Sequence, residues 1–248
     1  MQFIALAIAP GIAICLFIIY RDIYNREPKF NLIISFILGC ASILPAILFE
    51  NSLMGSAIDG SITGVAIASY FIIAFSEEGG KFLGLRFYSY KQKSFDEPLD
   101  GIVYSVMLSM GFATAENIKY VVIDAAPGTE YQLGLRRMFT AVPAHATFAI
   151  VMGYFIGKAK FNSKNSFGLM LTGLLGAIFL HGTYDFFLLL TQYSYVGMEK
   201  GNEYLALGGI ASFIISIILC RKLLKRDRKI SRQMFNPKAP PPPPPNRV

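Results

Sequence analysis

Seven stretches of this 248-residue chain are apolar over about the thickness of a bilayer: roughly 2–20, 30–49, 62–90, 101–123, 138–157, 166–191 and 204–220. A helix needs about 20 mostly apolar residues to cross the hydrocarbon core. Only helices and closed barrels can do so, because no water is there to satisfy backbone N–H and C=O groups. Barrel strands alternate apolar and polar residues over about 10 positions; these stretches do not. Only 16% of the residues are charged, where a soluble domain carries about a quarter. The expectation is an all-α, polytopic membrane helix bundle of about seven transmembrane helices. The first stretch has neither a basic leader nor an A-x-A cleavage pattern and reads as a retained helix.

The basic residues set an orientation. Cytoplasmic loops are enriched in Lys and Arg. Eighteen of the 23 Lys and Arg fall in the segments 21–29, 86–93, 158–164 and from Arg221 onward, all on one side of a seven-helix bundle. The other side holds Lys119, Arg136, Arg137 and Lys200, and Lys81 lies within the third stretch. This predicts the N-terminus outside and the C-terminus inside. The net charge of +7 is then a topology signal and gives no reason to expect nucleic acid as a partner. Residues 1–220 read as one membrane-embedded domain. Residues 221–248 read as a basic juxtamembrane and Pro-rich cytoplasmic tail, with Pro240–Pro245 in polyproline II form. Cys15, Cys40 and Cys220 lie in or at the end of apolar stretches and form no disulfide framework.

Charged groups inside a bilayer cost at least about 2.5–3.5 kcal/mol each, so they are rare and tend to be functional. The third stretch contains Glu77, Glu78 and Lys81, the lysine within ion-pair reach of both carboxylates at i+4 and i+3. Gly79 and Gly80 beside them permit close approach of another helix or a substrate backbone. The fourth stretch carries Glu116 and Asn117. The fifth carries His145 just after Pro143, and the sixth carries His181 and Asp185 on one helical face. At 1.5 Å rise per residue, Glu116, His145 and His181 come to similar depths in the outer part of the bilayer. A helix starting at Ile62 would put Glu77 about 22 Å from the outer end, deeper than the others. A start nearer Ala66 would bring it toward the middle.

Carboxylates together with two histidines suit hydrolysis. In a metal-assisted form, His145, His181 and a carboxylate hold Zn²⁺ with an open position for water, and a glutamate acts as base. In a metal-free form, a glutamate activates water while the histidines and Asn117 stabilise the oxyanion. The catalytic set is Glu77, Glu78, Glu116, His145 and His181, supported by Lys81, Asn117 and Asp185. The expected metal ligands are Glu116, His145 and His181, with Glu78 or Asp185 as alternative carboxylates. Intramembrane Glu, His and Asp also serve proton- or ion-coupled transporters, but those show repeated halves, and no internal repeat is visible. A purely structural scaffold does not explain why both histidines fall in the same zone as the carboxylates.

These motifs resemble a known family. Glu77-Glu78-Gly-Gly-Lys81, Asp96-Glu-Pro-Leu-Asp100, Gly111-Phe112 through Glu116-Asn117, Pro143-Ala-His145 and His181-Gly-Thr-Tyr-Asp185 occur in order over residues 77–186, as in the PrsW intramembrane proteases. Those are distant relatives of the CAAX amino-terminal, or Abi-type, membrane proteases. The resemblance implies a multi-pass protease of the bacterial cell membrane, with residues 1–220 as its peptidase domain. It implies a single-span membrane-protein substrate, such as an anti-sigma factor, cut first from the extracytoplasmic side. The family's EExxK glutamates correspond to Glu77 and Glu78, and its histidines to His145 and His181. CAAX enzymes usually have a histidine where this chain has Glu116, so their metal-free mechanism does not transfer whole. PrsW-type enzymes are often called metalloproteases, which makes Zn²⁺ the expected cofactor.

Overall fold

The computed structural model describes residues 2–57, 61–192 and 202–236. Its helices are α1 (Gln2–Arg21), α2 (Lys29–Ala41), α3 (Ile43–Ala57), α4 (Ile62–Ile67), α5 (Phe75–Phe87), α6 (Pro98–Ile118), α7 (Glu130–Phe139), α8 (Ala141–Lys160), α9 (Ser166–Gln192) and α10 (Asn202–Phe235). There is no strand among the described residues, and the all-α membrane bundle read from the sequence is the observed fold. The loop around Lys200 and the Pro240–Pro245 stretch lie outside the described residues.

Six segments are long and apolar enough to cross a membrane: Phe3–Arg21, Lys29–Ala57, Ile62–Lys91, Glu130–Lys160, Ser166–Thr191 and Leu207–Phe235. The fourth apolar stretch, now α6, falls outside that set although it is 21 residues long. Its glycines, serines, Glu116 and Asn117 lower its hydropathy, and they are tolerated because lipid does not meet this helix. Every residue from Leu99 to Thr114 is buried. The outer faces show the reverse, with Phe30, Leu48, Phe71, Phe167 and Phe179 exposed where a soluble protein would place polar groups.

α6 is therefore the axis of the bundle, packed against α1, α2, α5, α8 and α10. Lipid tails are as apolar as the side chains, so membrane helices associate by close packing rather than by hydrophobic exclusion, and small residues mark their contacts. At the α6–α8 crossing, a Cβ placed on Gly101 would lie 2.3 Å from the Gly153 carbonyl oxygen, and one on Gly157 would lie 2.1 Å from that of Pro98. At the α2 crossing, a Cβ on Gly39 would lie 1.9 Å from the Leu108 oxygen, and one on Gly111 would lie 2.0 Å from that of Phe36. Backbone meets backbone on both sides of α6, which fixes the register of the helices that carry the polar residues.

The path from α4 to α5 is not a straight α-helix. Ser61 caps α4 by accepting from the Gly64 N–H at 2.9 Å, and residues Ala68–Ala74 then form a π-helix that leads into α5. A second π-helix, Lys119–Ile123, continues α6 directly after Glu116 and Asn117. α10 also runs without a break past residue 220, and Asp227 and Ser231 on its extension are fully buried. The first part of the basic tail is thus a continuation of the last helix, docked onto the body.

The end of the bundle that carries Arg21, Lys160 and Arg228, called here the basic end, also gathers buried carboxylates. Asp100 closes the start of α6 by accepting from the backbone N–H groups of Asp96 and Glu97, each at 2.8 Å. Asp22 accepts from the Glu27 N–H at 3.2 Å, and the Tyr104 hydroxyl donates to Glu27. Burial pushes Asp22 up to about 6 and Glu97 up to about 7, and it raises Glu27 as well.

Two outcomes are expected. Gly101→Ala lowers the midpoint of thermal unfolding in detergent, by overpacking worth about 1–3 kcal/mol. Gly55→Ala, where an added Cβ meets nothing within 4 Å, does not lower the midpoint and should raise it slightly, because alanine loses less backbone freedom in a helix. The second outcome concerns pH. A carboxylate whose folded pKa is raised stabilises the fold below its unfolded value, and that contribution is lost as pH rises through the folded value. Unfolding midpoints should therefore fall as pH is taken from 3.8 through about 6 for Asp22. Asp22→Asn, which keeps an acceptor for the Glu27 N–H, should flatten that slope.

Candidate metal and hydrolytic centre

Four helices deliver polar side chains to one buried point. α5 brings Glu77, Glu78 and Lys81 on consecutive turns, α6 brings Glu116, α8 brings His145 and α9 brings His181 and Asp185. Pro143 lies in the first turn of α8, where its missing N–H interrupts no helical bond. His145 follows half a turn later. Its backbone carbonyl accepts from the Ser109 hydroxyl of α6 at 3.0 Å, which ties the two helices at the level of the site.

Lys81 Nζ sits at the middle. It lies 2.8 Å from Glu78 Oε1, 3.3 Å from Glu77 Oε2 and 3.2 Å from His145 Nδ1, with the Phe112 ring centroid 4.0 Å away. His181 Nδ1 lies 2.9 Å from Glu78 Oε1, and its Nε2 lies 3.1 Å from Asp185 Oδ2 and 3.9 Å from Glu77 Oε2. His145 Nε2 lies 2.9 Å from Glu116 Oε2. Phe148 stacks on the His181 ring with 4.8 Å between centroids and 18° between planes. Glu77, Glu78, Lys81, His145 and His181 are all buried.

The depth of Glu77 and Glu78, open in the sequence between two helix starts, is that of the histidines, since both lie beside them. The π-helix before α5 contributes a small part of this. More residues per turn mean less rise per residue, so the seven residues Ala68–Ala74 advance the chain less than an α-helix would. π segments recur at functional sites, and here both abut this one.

Of the expected metal ligands, His145, His181 and the alternative carboxylate Glu78 lie together, and Glu77 joins them. Glu77, Glu78, His145 and His181 offer ligand atoms that all lie within 4.8 Å of one another. Glu116 stands one step outside this group, with Arg137 Nη2 at 2.5 Å and His145 Nε2 at 2.9 Å from the same oxygen. Asp185 likewise stands behind His181. Asn117 faces away from the centre. Its amide donates to the Ala7 carbonyl at 3.2 Å and its oxygen accepts from Arg137 Nε at 2.6 Å. Gly79 borders open space, whereas Gly80 packs against Ser42.

Arg137 was not foreseen, because in the sequence it reads as a loop charge. The only signal was the amphipathic run Glu130–Phe139, now α7, which lays its polar face over the site. Glu50 of α3 was also missed. It accepts from the Ser76 hydroxyl at 2.9 Å, one residue before Glu77. A cavity of about 270 Å³ opens onto Glu50, Glu77, Glu116, Arg137, His145, His181 and Asp185. A second, of about 190 Å³, reaches Glu50, Glu77 and Glu116 from the α3 side.

The donor set suits a divalent metal. Each histidine turns Nδ1 toward the centre and Nε2 toward an outer carboxylate, Glu116 or Asp185, which is the arrangement that orients metal-bound imidazoles. Glu78 Oε2 is buried and has no hydrogen-bond partner among the described residues, an acceptor left free in an apolar setting. Four carboxylates, Glu77, Glu78, Glu116 and Asp185, formally face two fixed cations, Lys81 and Arg137.

The fold and the centre define a multi-pass membrane protein whose helices enclose a buried cluster of glutamates and histidines that could hold a metal ion. Comparison with known proteins makes this specific. The sequence profile of the PrsW family intramembrane metalloproteases matches residues 27–219. Protease PrsW of Geobacillus kaustophilus is 34% identical over 75% of this chain and 79% of its own length. Protease PrsW of Clostridioides difficile is 38% identical over 75% and 78%, and that of Bacillus subtilis 35% identical over 75% and 82%. No solved structure matches. The chain belongs to the PrsW family of intramembrane proteases, and it is a multi-pass protein of a bacterial cell membrane.

Arg137→Gln should destabilise the protein by about 3 kcal/mol, because it strips Glu116 of its strongest partner in a largely buried position. Arg137→Lys should recover only part of this, since one ammonium cannot serve Glu116 and Asn117 together as the guanidinium does. Denaturant unfolding in detergent micelles measures both.

Proposed function

We propose that this protease hydrolyses a peptide bond of a single-span membrane protein close to the extracytoplasmic face, as the first cut in regulated proteolysis of a substrate such as an anti-sigma factor. The observation that carries the reading is the convergence of Glu77, Glu78, His145 and His181 within 4.8 Å beside a cavity. The orientation follows from the basic residues, with the N-terminus outside, the C-terminus inside and α6 as a seventh crossing. His145 lies near the start of α8, about 6 Å along it, at the end opposite Lys158 and Lys160. In this orientation that end faces outward.

The roles divide by exposure. Glu77 lines the cavity and is the group that takes a proton from the attacking water. Glu78 is sealed from solvent and acts through Lys81 and His181, which it holds in place. Glu78, His145 and His181 would hold Zn²⁺, which when bound supplies Lewis-acid activation of water and of the scissile carbonyl. Glu116 and Asp185 orient the two imidazoles through Nε2. Arg137, at the cavity wall, is placed to stabilise negative charge on the substrate oxygen. The apolar helices around the cavity exclude bulk water, so a peptide entering it meets only water admitted beside Glu50 and Glu116.

Glu77→Gln in proteoliposomes holding a single-span substrate should lower cleavage by at least about a hundredfold, in the range usual for loss of a general base, while the purified protein keeps its metal content. His181→Ala should lose both cleavage and metal. Undiminished cleavage by both variants at equal protein level would remove the proposed site. A proton flux across liposomes without peptide cleavage would replace the protease reading with a transporter.

A further inference from the structure

A groove of about 670 Å³ runs between α1, α8 and α10 on the flank of the bundle away from the hydrolytic cavity. Its apolar walls are Phe17, Ile150, Ile217 and Leu224, and its floor is closed where Cys220 Sγ donates to the Thr147 carbonyl at 3.0 Å. Toward the basic end the same groove is lined by Arg21, Arg221, Lys225 and Arg228, and no acidic side chain lines it.

The helix geometry explains the gathering of cations. Arg221, Lys225 and Arg228 are spaced four and three apart, which puts them on one face of α10. Arg228 Nε donates to the Arg21 backbone carbonyl at 3.2 Å, so the ends of α1 and α10 are level there. The Arg21 guanidinium lies over the Phe17 ring at 5.0 Å, yet its Nε is buried and lacks a hydrogen-bond acceptor among the described residues. Volume and lining are those of a ligand site, apolar at membrane depth and cationic at headgroup depth.

We propose that this groove binds an anionic phospholipid, with an acyl chain along Phe17, Ile150 and Leu224 and the phosphate among Arg21, Arg221, Lys225 and Arg228. Basic pockets between membrane helices select anionic headgroups in this way. Generic attraction of a basic tail to a charged membrane would not require a groove, nor cations converging on it from two helices. The bound lipid joins α1 to α10 and presses on α8 beside Thr147, two residues from His145, so it braces the helix that holds a site histidine. The inner-leaflet location rests on the orientation proposed above; the binding itself does not.

The test is native mass spectrometry of the full chain in neutral detergent, with equal amounts of phosphatidylglycerol and phosphatidylcholine of matched chains. Phosphatidylglycerol should be retained about tenfold or more over phosphatidylcholine. Arg221→Gln with Lys225→Gln, both exposed in the fold and so tolerated, should bring the ratio near one, and Arg221→Lys should keep it. Lys222→Gln with Lys229→Gln, neither of which lines the groove, should leave it unchanged. Glycerol phosphate at millimolar excess should not displace the lipid, because it cannot fill the apolar part. Equal retention of the two lipids overturns the proposal. So does an equal loss in the Lys222 and Lys229 variant, or displacement by glycerol phosphate. None of these readouts depends on proteolysis, so failure here leaves the proposed activity standing.

Discussion

A lysine ammonium enclosed by two glutamates and a histidine, all out of reach of bulk water, is the interaction around which the rest of this protein is arranged. Lys81 at 2.8 Å from Glu78 and 3.2 Å from His145 makes sense only if three helices are held in fixed register, because removing one partner from a buried charge pair costs several kcal/mol. The backbone contacts through Gly39, Gly101, Gly111, Gly153 and Gly157 provide that register. They press α2 and α8 onto separate faces of α6, and α8 in turn carries His145 to the lysine. The outer carboxylates extend the same logic, as Glu116 fixes His145 and Arg137 fixes Glu116. Charge is satisfied in successive layers from the centre outward.

The same enclosure decides what could be read from the sequence. Apolar stretches about as long as a bilayer announce helices, and ionisable residues within them announce a site, because lipid penalises both exposed backbone and stray charge. Glu77, Glu78, His145 and His181 were therefore legible as a set. Their relative depth was not, since reckoning by rise per residue depends on where each helix starts, and Ala68–Ala74 departs from α-helical rise as well. Glu116 stands outside the group of converging ligand atoms for a related reason. Depth along a helix ignores azimuth, and the face of α6 that carries Glu116 turns it toward Arg137. Arg137 showed in the sequence only as one charge of an amphipathic run, because its partners arise from the way α7 folds back over the site.

α6 shows the limit of hydropathy from another side. It is the most buried helix, and it falls outside the set apolar enough to face lipid. A helix wrapped by other helices needs small residues for close approach more than it needs hydrophobicity. Its serines and glycines serve packing, and Ser109 also spends its hydroxyl on the His145 carbonyl. In a bundle of this kind the least lipid-like helix is the one to expect at the axis, next to the chemistry.

The two ends of the bundle use burial differently. At the site, carboxylates are partnered by Lys81, Arg137 and imidazoles, and a divalent metal held there would join that network. At the basic end, Asp22 and Glu97 are buried with too few cations beside them, and burial lifts them to about 6 and about 7. The cations there, Arg21, Arg221, Lys225 and Arg228, point instead into a groove open to lipid. Separation of the two signs leaves the interior of that end short of positive charge and its flank in excess of it. A lipid phosphate on the flank answers that excess without entering the core, and so leaves the protonation of the buried carboxylates to pH alone.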